Sequence, residues 1–215
     1  NTIVTQLMIS LTHSLTHYVC VYVYVCVCVC VWQESCTTGN LDIPVLIAKA
    51  KATAILEQLR VSDAVVANSG SECGSECGSE CVVITCDQIV LFNDQVRGKP
   101  RDIAEAREFL SSYSEGAQCH TVCAVVATHL PSGRQHSLVD TSTVHWSGIP
   151  TASLDTLLAK EEVYWSCGGF LIEDEDFLKH VQFIEGTLDS IRGLPVKAVK
   201  RVVSEVLAPH SDGNA

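Results

Sequence analysis

Positive charge is scarce in this 215-residue chain: 14 Lys and Arg stand against 25 Asp and Glu, a formal net charge of −11. The few cations are scattered. A general nucleic-acid binder needs them clustered to displace phosphate counterions, so that class is excluded. A small anionic substrate is not, provided that a few cations and a divalent metal neutralise it locally. Residues 1–33 contain no Asp, Glu, Lys or Arg. The basic start and small-residue cleavage site of a secretory signal are missing there too. Cysteine is plentiful at 12 residues, but no Cys-x-x-Cys pair occurs, and structural zinc sites usually need two. Eight of the 12 fall in two biased segments. The remainder, Cys86, Cys119, Cys123 and Cys167, read as small core fillers of a reduced, cytoplasmic protein.

The first biased segment admits three readings. Residues 19–31 alternate Val with Tyr or Cys, a pattern that suits a strand and would aggregate if exposed. The uncharged length suits a membrane span, but its first half is polar and no basic flank orients it, so a membrane is not expected. The third reading is translated repeat DNA, since Val-Cys-Val-Cys is what GTG-TGT repeats encode. Residues 1–41 are therefore expected to stand outside the fold, as a non-native or disordered segment. The first residue is Asn rather than Met, which suits a fragment or a processed product. In the second segment Gly70-Ser71-Glu72-Cys73 is copied twice more, and Gly and Ser in each unit predict a flexible loop over residues 70–81.

From Asp42 the composition becomes ordinary. Residues 43–60 predict a helix, with Pro44 in its first turn. Lys49 and Lys51 lie about 200° apart around it, so one of them at most faces a shared site. Within residues 82–100 Asn93-Asp94 lies between two apolar segments, a hairpin signal. Asp102 is placed to cap a second helix whose buried stripe is Ile103, Ala106, Phe109, Leu110 and Tyr113, with Gly116 ending it. Residues 120–129 and 135–146 predict two strands around a turn at Pro131-Ser132-Gly133. Residues 153–162 predict a short helix burying Leu154, Leu157 and Leu158. Gly168-Gly169 marks a sharp turn or a close approach. Glu173-Asp174-Glu175-Asp176 reads as a solvated face. A short strand over residues 181–184 and a last helix over residues 196–207 precede a loose tail. Helices interleaved with strands, some in hairpins, predict a mixed α/β fold: a twisted mixed sheet with helices packed around it.

One carboxylate, Asp87, interrupts the apolar run of residues 82–92. Burying it is unfavourable unless a partner offsets the lost hydration. The hairpin brings Lys99 of Gly98-Lys99-Pro100 back toward Asp87. Two readings stay open on these residues alone: an ion-paired carboxylate at a sheet edge, or a site for a phosphorylated or metal-chelated ligand.

In this order the pieces resemble the Maf family of nucleoside triphosphate pyrophosphatases, over some three quarters of the sequence. Ile47-Ala48-Lys49-Ala50-Lys51-Ala52 is similar to the family's L-A-x-x-K-A helix, and selects Lys51. Thr85-Cys86-Asp87-Gln88 looks like its A-D-T or S-D-Q strand end, and Gly98-Lys99-Pro100 matches its G-K-P. Ala104-Glu105-Ala106-Arg107, His120-Thr121-Val122, Gly168-Gly169 and Gly193-Leu194-Pro195 follow its E-A, H-x-V, G-Y-G and N-V-x-G-L-P segments. The resemblance implies a Maf or inosine-triphosphatase-like fold. It also implies hydrolysis of a nucleoside triphosphate, pyrimidine or modified, to the monophosphate and pyrophosphate with Mg²⁺ or Mn²⁺, as nucleotide-pool cleaning. By the same resemblance Asp87 activates water and holds metal, Lys51, Lys99 and Gln88 contact substrate, and Glu173 of the acidic run, similar to a divergent protozoan branch, adds a metal carboxylate. Family members are often homodimers. Two family segments, S-x-S-x-R-R and D-x-D-E, do not occur here, and Leu171 stands near the glutamine of G-Y-G-I-Q. Weak turnover is the expectation that follows, and a catalytically impaired Maf-like domain is the alternative.

Overall fold

The structure, a computed structural model, describes residues 20–23, 42–69, 81–130 and 132–209. The expected loose tail and all of the segment before Asp42 except Cys20–Val23 lie outside the described residues, as does most of the expected loop. Strand β1 (Cys20–Val23) pairs in parallel with β2 (Cys81–Phe92). Strands β3 (Gln95–Arg97), β4 (Glu115–His129), β5 (Gln135–Ser147) and β6 (Val181–Glu185) complete the sheet in the order β1-β2-β4-β5-β6, with β3 paired to β2. All pairings other than β1–β2 are antiparallel, so the sheet is mixed, as the sequence predicts.

Both faces of the sheet centre are covered, which explains why β2 and β4 read as continuous apolar runs rather than alternating ones. On one face Val82, Ile84 and Cys86 join Cys123, Val125 and Ala127 beneath α6 (Val196–Leu207). On the other face Ala48 of α1 (Asp42–Ser69) packs on Ala124 and Val126. A third cluster fills the end of the sheet under α2 (Ile103–Ser112), α3 (Thr151–Leu158) and α4 (Glu175–Leu178). Its centre is Tyr113, stacked on Trp146 with ring centroids 4.7 Å apart and met edge-on by Phe170.

Local chemistry sets the joints. Asn93 and Asp94 both adopt positive φ, 51° and 60°, the left-handed pair that a two-residue hairpin of right-handed twist requires. Asp102 caps α2 by accepting from the Glu105 amide at 2.9 Å. Some boundaries depart from expectation. Ile103 is 57% exposed rather than part of the buried stripe, because it opens the helix on the solvent side. Gly116 does not end α2: it sits in β4 beside a register shift, and α2 stops at Ser112. Cys81, assigned to the loop, begins β2. The helix expected over residues 153–162 ends at Leu158, and a 3₁₀ turn, Glu161–Trp165, follows. Between them Lys160 turns extended and pairs with Asp174 at 2.6 Å and Asp176 at 2.9 Å. The acidic run is thus tied down rather than simply solvated. Asp174 also caps α4 and is held below the usual carboxylate range first by Lys160.

Candidate active site

Helix α1 presents Ala48, Lys51, Ala52 and Ile55 on one face, the spacing of a helical stripe, and all four are buried. That stripe lies against the β2 face carrying Thr85 and Asp87, and the Thr85 hydroxyl donates to the Ala48 carbonyl at 2.8 Å. Lys51, not Lys49, is therefore carried inward. Its Nζ donates to Asp87 Oδ1 at 2.7 Å and to the Cys86 carbonyl at 3.1 Å. The two side chains are 8% and 5% exposed. Burial pushes the Asp87 carboxyl above its ordinary range, although Lys51 and, less strongly, Lys99 pull the other way. Asp87 Oδ2 is buried and has no hydrogen-bond partner among the described residues.

Asp87 lines a cleft of about 210 Å³, together with Lys51, Gln88, Lys99 and Glu173. All five residues singled out in the sequence therefore share one cavity. One wall is the segment from Trp165 to Glu173. The Gly168 amide donates to the Gly98 carbonyl at 2.9 Å, and the Tyr113 hydroxyl donates to the Gly168 carbonyl at 2.8 Å. Gly168 has φ of +72°, and a Cβ there would meet both the Tyr113 hydroxyl and the Phe170 ring at 3.0 Å, so glycine is needed for the close approach.

The opposite wall, Ile191 to Gly193, is held from the sheet. Gln88 Nε2 donates to the carbonyls of Ser190 at 3.0 Å and Ile191 at 2.8 Å. Both of its N–H groups are thereby spent, so the expectation that Gln88 contacts substrate is narrowed. It has only an acceptor oxygen to offer, which phosphate oxygens cannot use. The Cys123 thiol donates to the Gly193 carbonyl at 3.2 Å, and its neighbour Cys86 together with burial pushes that thiol up, keeping it a neutral donor. His120, from the H-x-V segment, is bonded to Thr143 Oγ1 on an exposed face, while the next residue, Thr121, lines the cleft.

Among the other residues that line the cleft are Trp165 and Arg192, neither of which the sequence motifs single out. Arg192 directly precedes Gly193-Leu194-Pro195, at the x of the N-V-x-G-L-P pattern. It is exposed, and its guanidinium has no ion-pair partner among the described residues. By contrast Arg97, nearer in sequence to Lys99, is consumed inside the core by Ser112 Oγ at 2.7 Å and by the Phe92 ring. Arg192→Ala is expected to raise KM for a polyphosphate substrate about three- to tenfold, the loss of one solvent-accessible charge-assisted contact, with kcat little changed. Steady-state kinetics at two salt concentrations checks this, the difference shrinking at high salt.

Over residues 20–206 the sequence matches the Maf-like protein family. The chain belongs to that family. The matched range takes in β1 and the segment joining it to α1. Among curated relatives, this Maf-like chain is 30% identical over 165 residues to the 7-methyl-GTP pyrophosphatase of Dictyostelium discoideum, covering 76% of each chain. It is 28% identical to the dTTP/UTP pyrophosphatase of Lacticaseibacillus casei, over 56% of this chain and 64% of the relative. A dTTP/UTP pyrophosphatase of Neisseria gonorrhoeae is 33% identical over 53% of this chain and 54% of its own.

Among the described residues no three His, Cys, Asp or Glu converge as a resident metal cage, and no helix is long and apolar enough to cross a membrane. The cleft does hold two carboxylates, Asp87 and Glu173, the first with an oxygen lacking a partner. A magnesium-like ion commonly takes one or two carboxylates and fills its remaining positions with water and substrate phosphate. These residues fit such an ion.

Proposed function

We propose that this chain is a nucleoside triphosphate pyrophosphatase, cleaving between the α and β phosphates of a pyrimidine or modified nucleotide. The observation that carries this reading is the buried Asp87–Lys51 pair in a cleft that also holds Lys99 and Arg192. Lys51 grips Oδ1 and fixes the carboxylate, leaving Oδ2 as the acceptor for a proton. In the reaction Asp87 takes a proton from water as its oxygen bonds to phosphorus, the phosphorus–oxygen bond to the leaving group breaks, and pyrophosphate departs. Lys99 and Arg192 neutralise charge on the phosphate oxygens, the main task in this substitution. Asp87 and Glu173 would hold a Mg²⁺ or Mn²⁺ ion, which supplies further neutralisation of the phosphates. A homodimer accompanies this reading through family resemblance alone, and a cytoplasmic place of action through the cysteine usage.

The test is product analysis. The full chain is incubated with UTP, dTTP, CTP and 7-methyl-GTP, with each metal in turn. Equal amounts of monophosphate and pyrophosphate are expected from at least one of them. Orthophosphate with a diphosphate would refute the bond assignment, and no product from any nucleotide would favour the catalytically impaired domain.

A further inference from the structure

Acidic residues run without a break from Glu173 to Asp176, yet of these only Glu173 lines the cleft. Its neighbours are occupied by one ammonium. Lys160 Nζ donates to Asp174 Oδ2 at 2.6 Å and to Asp176 Oδ2 at 2.9 Å. Asp174 Oδ1 accepts from the Asp176 amide at 2.9 Å, and Asp176 Oδ1 accepts from Lys179 Nζ at 2.8 Å. Every carboxylate oxygen of the two aspartates thus has a partner already. The same ion pair closes the base of a loop. Lys160 directly precedes the turn Glu161–Trp165, Asp174 directly follows Glu173, and the cleft wall from Trp165 to Glu173 lies between them. The side chains of Lys160 and Asp174 are 23% and 25% exposed, so water screens the pair only in part. On the other side of Glu173, Leu171 and Ile172 are buried, and the Asp174 amide donates to the Leu171 carbonyl at 3.2 Å. Glu173 therefore sits in a tight turn anchored both before and after it.

We propose that Lys160 is a positioning residue for the divalent metal: by holding Asp174 and Asp176 it fixes the turn that presents Glu173 to the ion beside Asp87. This rests on the nucleotide reading and on the metal fit given above. An ion held by only two carboxylates depends on both being in place, since water and phosphate fill the rest of its shell. A carboxylate on a fixed turn loses less freedom on binding than one on a loose loop, and that difference appears directly as affinity. Groups that orient a metal ligand through its neighbours therefore matter to the metal without touching it. Lys160 also keeps Asp174 and Asp176 from competing with Glu173 for the ion. Charge alone predicts the opposite effect. Removing a lysine makes this end of the cleft more negative, which by itself draws a cation in. The sign of the change separates positioning from charge.

The experiment is calorimetric binding of inorganic tripolyphosphate to the full chain, without metal and with Mn²⁺, so that neither turnover nor the base enters. The quantity read is the factor by which Mn²⁺ tightens binding. Lys160→Met is expected to shrink that factor about tenfold and to leave metal-free binding unchanged. Lys160→Arg, whose fork can span two carboxylates, should keep it. Lys179→Met removes the same charge but leaves both Lys160 pairs, and should not shrink it. Glu173→Gln should shrink it at least as much as Lys160→Met, and the double variant no further. An unchanged or larger factor in Lys160→Met, or an equal fall in Lys179→Met, would overturn the positioning role. A metal-free affinity that falls as far as the metal-bound one would mean that Lys160 merely supports the wall, and would overturn it too. An undiminished factor in Glu173→Gln, or no tightening by Mn²⁺ in the unsubstituted chain, would remove Glu173 or the metal and this inference with it, while the phosphate cleft stands. If the unsubstituted chain binds no tripolyphosphate under either condition, the nucleotide reading itself falls.

Discussion

Asp87→Asn is expected to lower kcat by about 10²–10⁴-fold, the usual contribution of a positioned general base, while KM stays the same or falls. The amide keeps the shape of the carboxylate, and its oxygen can still accept from Lys51. It cannot take a proton from water. Affinity should not suffer, since a negative charge is removed from the neighbourhood of the phosphates. Folding should lose some stability, because the buried Lys51 ammonium keeps an acceptor but loses its counter-charge. In the unsubstituted protein only the ionised carboxylate is active, so kcat/KM should climb from the acid side with a limb above the ordinary aspartate range. Rapid pyrophosphate release by a folded Asp87→Asn protein would remove Asp87 from the reaction.

Lys51→Met should lower stability at neutral pH by about 3–5 kcal/mol, the usual result of leaving one member of a buried ion pair alone. Lys51 Nζ satisfies both Asp87 and the Cys86 carbonyl, and these two residues are only 7% and 6% exposed. The pH dependence follows from the direction of the Asp87 shift. A carboxyl whose folded pKa is raised is best accommodated when protonated. Its contribution is fully present below the unfolded value and is lost as pH rises through the folded one. Removing Lys51 takes away the largest influence lowering that pKa, so the folded value rises further. The deficit of Lys51→Met should accordingly be greatest near neutrality and shrink as the medium is acidified. Urea unfolding across pH measures this. Any residual activity should show its acid limb displaced upward, which separates the loss of a proton-tuning partner from a plain loss of phosphate affinity. The double variant Asp87→Asn with Lys51→Met should recover much of the stability. A pH-independent deficit, or none, would mean that the pair is not the buried unit described.

Much of the arrangement was legible because it is local. Asn93-Asp94 dictates its hairpin through two residues that tolerate left-handed backbone, and Asp102 dictates a helix start through one side-chain oxygen. The helix over residues 196–207 was bounded by Gly193-Leu194-Pro195 before and a polar tail after, and its bounds matched. The choice of Lys51 over Lys49 was half legible: helical geometry allowed only one to face inward, and the ordered motifs named which.

Long-range relations were not legible. Lys160 ends a helix early because two aspartates fourteen and sixteen residues on need it. Gln88 looked like a substrate ligand from its place beside Asp87, but two carbonyls more than a hundred residues away take its donors. Arg192 and Trp165 carry no pattern of their own. They matter only because Gln88, Cys123 and Gly98 bind the walls that bring them to the cleft.

The order of apolar runs, turns and one buried carboxylate was therefore enough to predict a mixed α/β sheet with Lys99 brought back toward Asp87, while Lys51 was added by the family resemblance. Such features follow from period, backbone preference and the unfavourable burial of charge, all of which act within a few residues. Which cations stay available and which aromatic faces the cleft depended on hydrogen bonds closed between distant segments. No short-range rule contains those, because each is decided by whichever group the packed chain happens to bring within about three ångströms.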